Sequence, residues 1–160
     1  MISKYLKNLS IVLIIFLIDR ISKIYVIYLN SKFYGSEIFS SEFLNISLVW
    51  NEGIAFGILS FKSQLLYNIL TLFIFSIIFF LILITIRSEG FRKYSLLMIL
   101  GGAFGNVFDR VFNKAVPDFI DLHYNNFHWF IFNVADIFIT IGILSMIFLE
   151  LINKNSKEKL

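Results

Sequence analysis

The chain has 160 residues, 58% of them hydrophobic and only 16% charged, with a mean hydropathy of +0.82 and a formal net charge of +3. A soluble domain carries about a quarter charged residues, so the bilayer is the expected solvent. The absence of cysteine excludes disulfides, thiolate metal sites and a cysteine nucleophile, and no basic cluster interleaved with aromatics points to nucleic acid.

Hydropathy predicts four spans, at 9–29, 65–86, 94–108 and 129–151, against the roughly 20 residues that cross a bilayer. The expected fold class is therefore an all-α membrane protein, a four-transmembrane-helix bundle forming one domain over 1–160. The 20 phenylalanines read as lipid-facing filler. The third span is short, so its ends are expected in polar, protein-lined surroundings. The basic start followed by an apolar run resembles a secretory signal peptide, but Asp19, Arg20 and Lys23 follow with no small-residue cleavage site, which predicts a retained span.

Loop charges orient the bundle. Lys4 and Lys7 precede the first span, Arg87, Arg92 and Lys93 join the second and third, and Lys154, Lys157 and Lys159 follow the fourth. The positive-inside rule then places both termini in the cytoplasm and the 30–64 and 109–128 connections outside. Positions 43–50 alternate partly in polarity, so a small, partly β cap is expected between the first two spans. Asn45-Ile46-Ser47 matches a glycosylation sequon, a pattern short enough to arise by accident.

Polar residues recur where lipid should exclude them. Asp19 and Lys23 are four apart on one helical face, where each offsets the other's desolvation, as a structural ion pair or as the lining of a polar cavity. Asn51-Glu52-Gly53-Ile54-Ala55-Phe56-Gly57 closes the first outer connection, and in isolation reads as a turn. The third span ends Gly101-Gly102-Ala103-Phe104-Gly105-Asn106, with Arg110 four residues on. Gly101 and Gly105 form a small-xxx-small spacing for close helix approach, which leaves Asn106 and Arg110 unexplained by packing.

Asp118 and Asp136 carry the most chemistry. They lie 18 positions apart, either side of the connection that returns the chain from the third span to the fourth, so they can converge. Two carboxylates sharing one proton supply a general base and a general acid, the machinery of an aspartic hydrolase. Asn133 lies three before Asp136 and can hydrogen-bond the pair, and Pro117 restricts the backbone just before Asp118. Asp118, Asp121, His123 and His128 form a competing, metal-like constellation, but their spacing matches no metal motif and no metal is expected.

These motifs in order (Asp19 to Lys23, Asn51-x-Gly-x-Ala-Phe, Gly-Gly-Ala-Phe-Gly-Asn-x-x-Asp-Arg, Pro-Asp-Phe-Ile-Asp and Phe-Asn-Val-Ala-Asp) resemble bacterial lipoprotein signal peptidase, the signal peptidase II family. The resemblance covers essentially the whole chain. It implies a membrane-embedded aspartic peptidase of the bacterial inner membrane. Such an enzyme removes signal peptides from prolipoproteins by cleaving before a diacylglyceryl-modified cysteine. It needs no cofactor, and a monomer among membrane lipids suffices. Carried over by motif, the catalytic pair is Asp118 and Asp136, supported by Asp19, Lys23, Asn51, Gly102, Asn106, Arg110, Asn133 and Ala135. Two departures lie in the arm before the first aspartate, where Lys114 stands for a frequent glycine and Pro117 for a valine. Rival readings are a serine–lysine peptidase using Ser22 and Lys23, a small proton-coupled transporter relaying through Asp19, Lys23 and Asp136, and a purely structural membrane protein.

Overall fold

The computed structural model describes residues 2–53 and 64–157. Four long helices, α1 (Ile2–Lys32), α2 (Gln64–Arg87), α3 (Gly90–Phe112) and α4 (Val134–Lys157), accompany four strands, β1 (Phe39–Ser40), β2 (Leu44–Asn51), β3 (Val116–Tyr124) and β4 (Phe127–Phe132). Positions 54–63, with Ile54 to Gly57 and the end of the expected cap, lie outside the described residues.

By length and composition, α2, α3 and α4 can each cross a membrane. The 31-residue α1 is long enough as well, but Asp19, Arg20 and Lys23 interrupt its apolar stretch. In α3, 61% of the apolar window is buried, against 11% in α2 and in α4, so α3 is the central helix on which the others pack. Its glycines explain how. A methyl group at Gly101 would lie 2.7 Å from Ile15 Cβ, and one at Gly105 would strike the Asp19 carboxylate. Ile15 and Asp19 are one turn apart on α1, so the small-xxx-small spacing brings α1 against α3. Leu72, Phe73 and Phe80 of α2 remain exposed, as side chains facing lipid would be.

The strands form one antiparallel sheet in the order β1-β2-β3-β4. This corrects the expected all-α bundle, whose β cap was confined to the connection between the first two helices. β1 and β2 do come from there, but β3 and β4 come from the connection between α3 and α4. Asp118 therefore lies on a strand paired to β2, opposite Val49, and not in a loop.

The fourth span also begins later than the expected Trp129. Phe127–Phe132 forms β4, and α4 starts at Val134. The segment Phe-His-Trp-Phe-Ile-Phe is apolar enough to pass for a span, but its aromatic and β-branched residues suit a pleated surface. The two-residue turn at Asn125 and Asn126 folds it back on β3, and Asn125 adopts φ 51°, which asparagine tolerates well. The third helix exceeds the expected 94–108 at both ends, because the polar Arg92, Lys93, Asp109 and Arg110 that hydropathy discounts lie within its first and last turns. Lys114 has φ 58°, the left-handed region that favours glycine, which accounts for the frequent glycine at that place in the resembling family.

Candidate active site

Helix α4 begins with unpaired backbone N–H groups, as every helix does. Here three are satisfied by residues of the expected site. The Asp136 N–H donates to Asn133 Oδ1 at 3.2 Å, and the Asn133 N–H donates back to Asp136 Oδ2 at 3.1 Å. This reciprocal pair is a capping box with Asn and Asp in the two roles. The Ala135 N–H donates to Asp19 Oδ1 of α1 at 3.0 Å. The Asn-x-x-Asp spacing thus fixes Asp136 at the helix start, where the dipole favours a negative charge.

Asn133 is fully buried and also reaches the sheet, its Nδ2 donating to Asp118 Oδ1 at 2.6 Å. One asparagine side chain therefore hydrogen-bonds both segments that carry the expected dyad. The other Asp118 oxygen accepts from Asn51 Nδ2 at 2.8 Å, and the Asn51 carbonyl accepts the Gly53 N–H at 2.9 Å. The Asn51 amide is thereby oriented with its donor towards Asp118. Asp118 is 4% exposed. Burial pushes its carboxyl from an ordinary 3.8 up to about 6; the Asn51 hydrogen bond pulls it back, and the Asp136 charge pushes it up again.

The other Asp136 oxygen accepts from Asn106 Nδ2 at 2.8 Å, and Asn106 Oδ1 accepts from Lys23 Nζ, also at 2.8 Å. The ammonium thus forces the amide to present its donor to Asp136. Lys23 is fully buried and lies 2.9 Å from both Asp19 and Asp109 carboxylates. Arg20 completes the cluster at 2.5 Å from Asp109 and packs over the Phe108 ring. Two acidic and two basic side chains balance within it, as burial requires. Arg110 donates to the Gly53 carbonyl at 2.7 Å, tying α3 to the end of β2, while its own carbonyl accepts from Tyr67 of α2 at 3.0 Å.

All the expected site residues converge. Asn51, Asn106 and Asn133 donate to the two aspartates, Lys23 and Asp19 support them, and Gly102 faces the Ala135 carbonyl so closely that a methyl group would strike it. Asp109 is the residue that sequence reasoning passed over. Its role rests on Arg20 and Lys23, far away in the chain, and its only signal was a place in the motif ending in Arg110. Ser22 donates to the Asp19 backbone carbonyl at 2.8 Å while Lys23 engages carboxylates and an amide, which leaves no serine–lysine pair. Of the metal-like constellation, His128 meets Asp121 at 2.9 Å and stacks on His123, whereas Asp118 is taken up by asparagines.

The family profile of signal peptidase (SPase) II matches residues 11–152. A lipoprotein signal peptidase of Pelagibacter ubique (strain HTCC1062) is 46% identical over 154 residues, covering 95% of this chain and 93% of that one. A second, of Rickettsia akari (strain Hartford), is 36% identical, over 89% of this chain and 74% of its own. Among solved structures, a bacterial membrane enzyme determined by the in meso method at 2.3 Å superposes with a TM-score of 0.73 and 28% identity, covering 94% of this chain and 91% of that one. Sequence, fold and the order of the motifs agree: the chain belongs to the signal peptidase II family.

Proposed function

We propose that Asp118 and Asp136 are the catalytic pair with which this chain, a membrane-embedded aspartic endopeptidase, removes signal peptides from prolipoproteins by cleaving before the diacylglyceryl-modified cysteine. The observation that carries this reading is Asn133, whose side chain bonds Asp118 while capping the helix that begins with Asp136. The transporter alternative has no support in the family matched.

The chemistry follows from sharing one proton. The ionised aspartate takes a proton from a water, whose oxygen attacks the carbonyl carbon preceding the cysteine. The protonated aspartate gives its proton to the carbonyl oxygen. As the tetrahedral intermediate collapses, the C–N bond breaks and the cysteine amine takes up a proton, leaving the signal peptide with a carboxyl terminus. The pair titrates as a unit, with two apparent values. The Asn51, Asn106 and Asn133 donors are fixed before substrate arrives, so little reorganisation is needed at the moment of reaction.

The four helices are read as four spans, with both termini cytoplasmic and the sheet on the outer face. There the acyl chains stay in lipid while the scissile bond meets the dyad, and one copy of the chain suffices. The test is cleavage of a diacylglyceryl prolipoprotein peptide by wild type, Asp118→Asn and Asp136→Asn, with an unlipidated peptide as control. Cleavage of the lipidated peptide alone, reduced at least about 1,000-fold by either substitution in a folded protein, is expected. Undiminished activity in either variant refutes the pair.

A further inference from the structure

Two hollows flank the candidate dyad, and they differ in chemistry. One lies beside Asp136, between β3, β4 and the first turns of α4; Tyr124, Trp129, Phe132, Ile137 and Ile141 line it, and it is almost wholly apolar. The other, a cavity of about 730 Å³ beside Asp118, lies over β2, β3 and β4; aromatic Trp50 and Trp129 wall it, and Glu52, Asp121 and His128 give it polar groups.

Asp121 is 7% exposed, and its Oδ1 has no hydrogen-bond partner among the described residues. Its Oδ2 meets His128 Nδ1 at 2.9 Å and Asn45 Nδ2 at 3.5 Å, and Asn45 Oδ1 accepts from Ser40 at 2.8 Å. A polar ladder thus crosses all four strands and holds Asp121 in place. The Asn51 amide, also in the lining, is committed to Asp118 and Gly53. The cavity is therefore lined by two carboxylates, Asp121 and Glu52, alongside the indole N–H donors of Trp50 and Trp129.

We infer that this cavity is a specificity subsite for the polar segment following the lipidated cysteine, and that the carboxylates of Asp121 and Glu52 select hydrogen-bond-donating or cationic side chains there and disfavour acidic ones. The inference rests on the peptidase reading, since only a scissile bond at the dyad defines the two sides. A signal peptide is apolar and fits the hollow that α4 closes, whereas the mature segment is polar and fits the one that carries the carboxylates. A buried acceptor left unpaired by an apolar residue, or faced with a second carboxylate, costs transition-state binding.

The experiment uses the purified full chain in lipid and four diacylglyceryl peptides differing only in the residue after the cysteine: Lys, Ser, Leu or Asp. kcat/KM is expected to fall in the order Lys and Ser, then Leu, then Asp, with Lys over Asp by about tenfold or more. In Asp121→Asn that ratio should shrink to about twofold, because an amide presents a donor where the carboxylate presented an acceptor. Glu52→Gln, at an exposed position, should shrink it partially and keeps the test open should the Asp121 variant not fold. Four peptides cleaved alike by wild type, or a ratio unchanged in both variants, overturns the subsite and leaves the peptidase standing. A folded wild type that cleaves none of the four overturns both.

Discussion

A carboxylate gripped by two amide donors is held in place but also biased in charge. Asn51 favours the ionised form of Asp118, against burial and the neighbouring Asp136, which favour the protonated form. If the pair works with one shared proton, activity on the lipidated peptide declines as pH rises past the range, about 6 for Asp118, in which the pair as a unit gives that proton up. Removing Asn51 removes a pull towards ionisation, so Asn51→Ala should move this alkaline limb upward. Its ceiling should fall about tenfold, because the carboxylate also loses an orienting contact. A pH profile of kcat/KM for the two proteins checks this, and a limb that moves downward refutes the role given to Asn51. Stability carries the same sign. Because the folded value lies above the ordinary 3.8, Asp118 contributes stability below about pH 4 that is lost as pH rises through about 6.

At the scale of elements, the site depends on how closely α3 meets α4. A Cβ at Gly102 would strike the Ala135 carbonyl oxygen and approach Ile139 Cγ1 to 2.9 Å. The oxygen belongs to helix backbone and cannot swing aside, so Gly102→Ala must part the two helices at the turn that carries Asp136. A loss of roughly 1–3 kcal/mol in stability is expected, with a drop in kcat larger than stability alone explains. Thermal unfolding in lipid and initial rates on the lipidated peptide measure the two; wild-type values for both would show that the helices can shift freely. That contact was legible in part. The motif singled out Gly102, and the spacing of Gly101 and Gly105 foretold a helix contact, though not that α1 makes it. The asparagines and aspartates were legible because each belongs to a short motif whose order is informative. The strand Phe127–Phe132 was not, because hydropathy measures apolarity without period, and six aromatic-rich residues before a helix satisfy it as well as a longer span does. The pairing of β2 with β3, which puts Asn51 beside Asp118, joins residues 67 apart and leaves no local trace.

Across the whole molecule, the buried cluster of Asp19, Lys23, Arg20 and Asp109 bears on how many times the chain crosses the bilayer. Asp19, Arg20 and Lys23 are what separate α1 from the other three helices by composition, yet they pack against α3 and pair with one another and with its Asp109, so α1 need not show them to lipid. A helix whose polar residues face its own bundle can span as well as an apolar one. This predicts four crossings, with Lys7, Glu89 and Asn153 inside and Glu37 and Asn126 outside, and the absence of cysteine makes the test clean. Single cysteines at these five exposed positions, treated with a membrane-impermeant maleimide, should label in intact spheroplasts only at Glu37→Cys and Asn126→Cys. The other three should label only after lysis. Each neighbouring pair reports one helix: Lys7 and Glu37 enclose α1, Glu37 and Glu89 α2, Glu89 and Asn126 α3, and Asn126 and Asn153 α4. Labelling of Lys7→Cys in intact cells would leave α1 on the outer surface and reduce the crossings to three. The Lys23 cluster would then need water at its back.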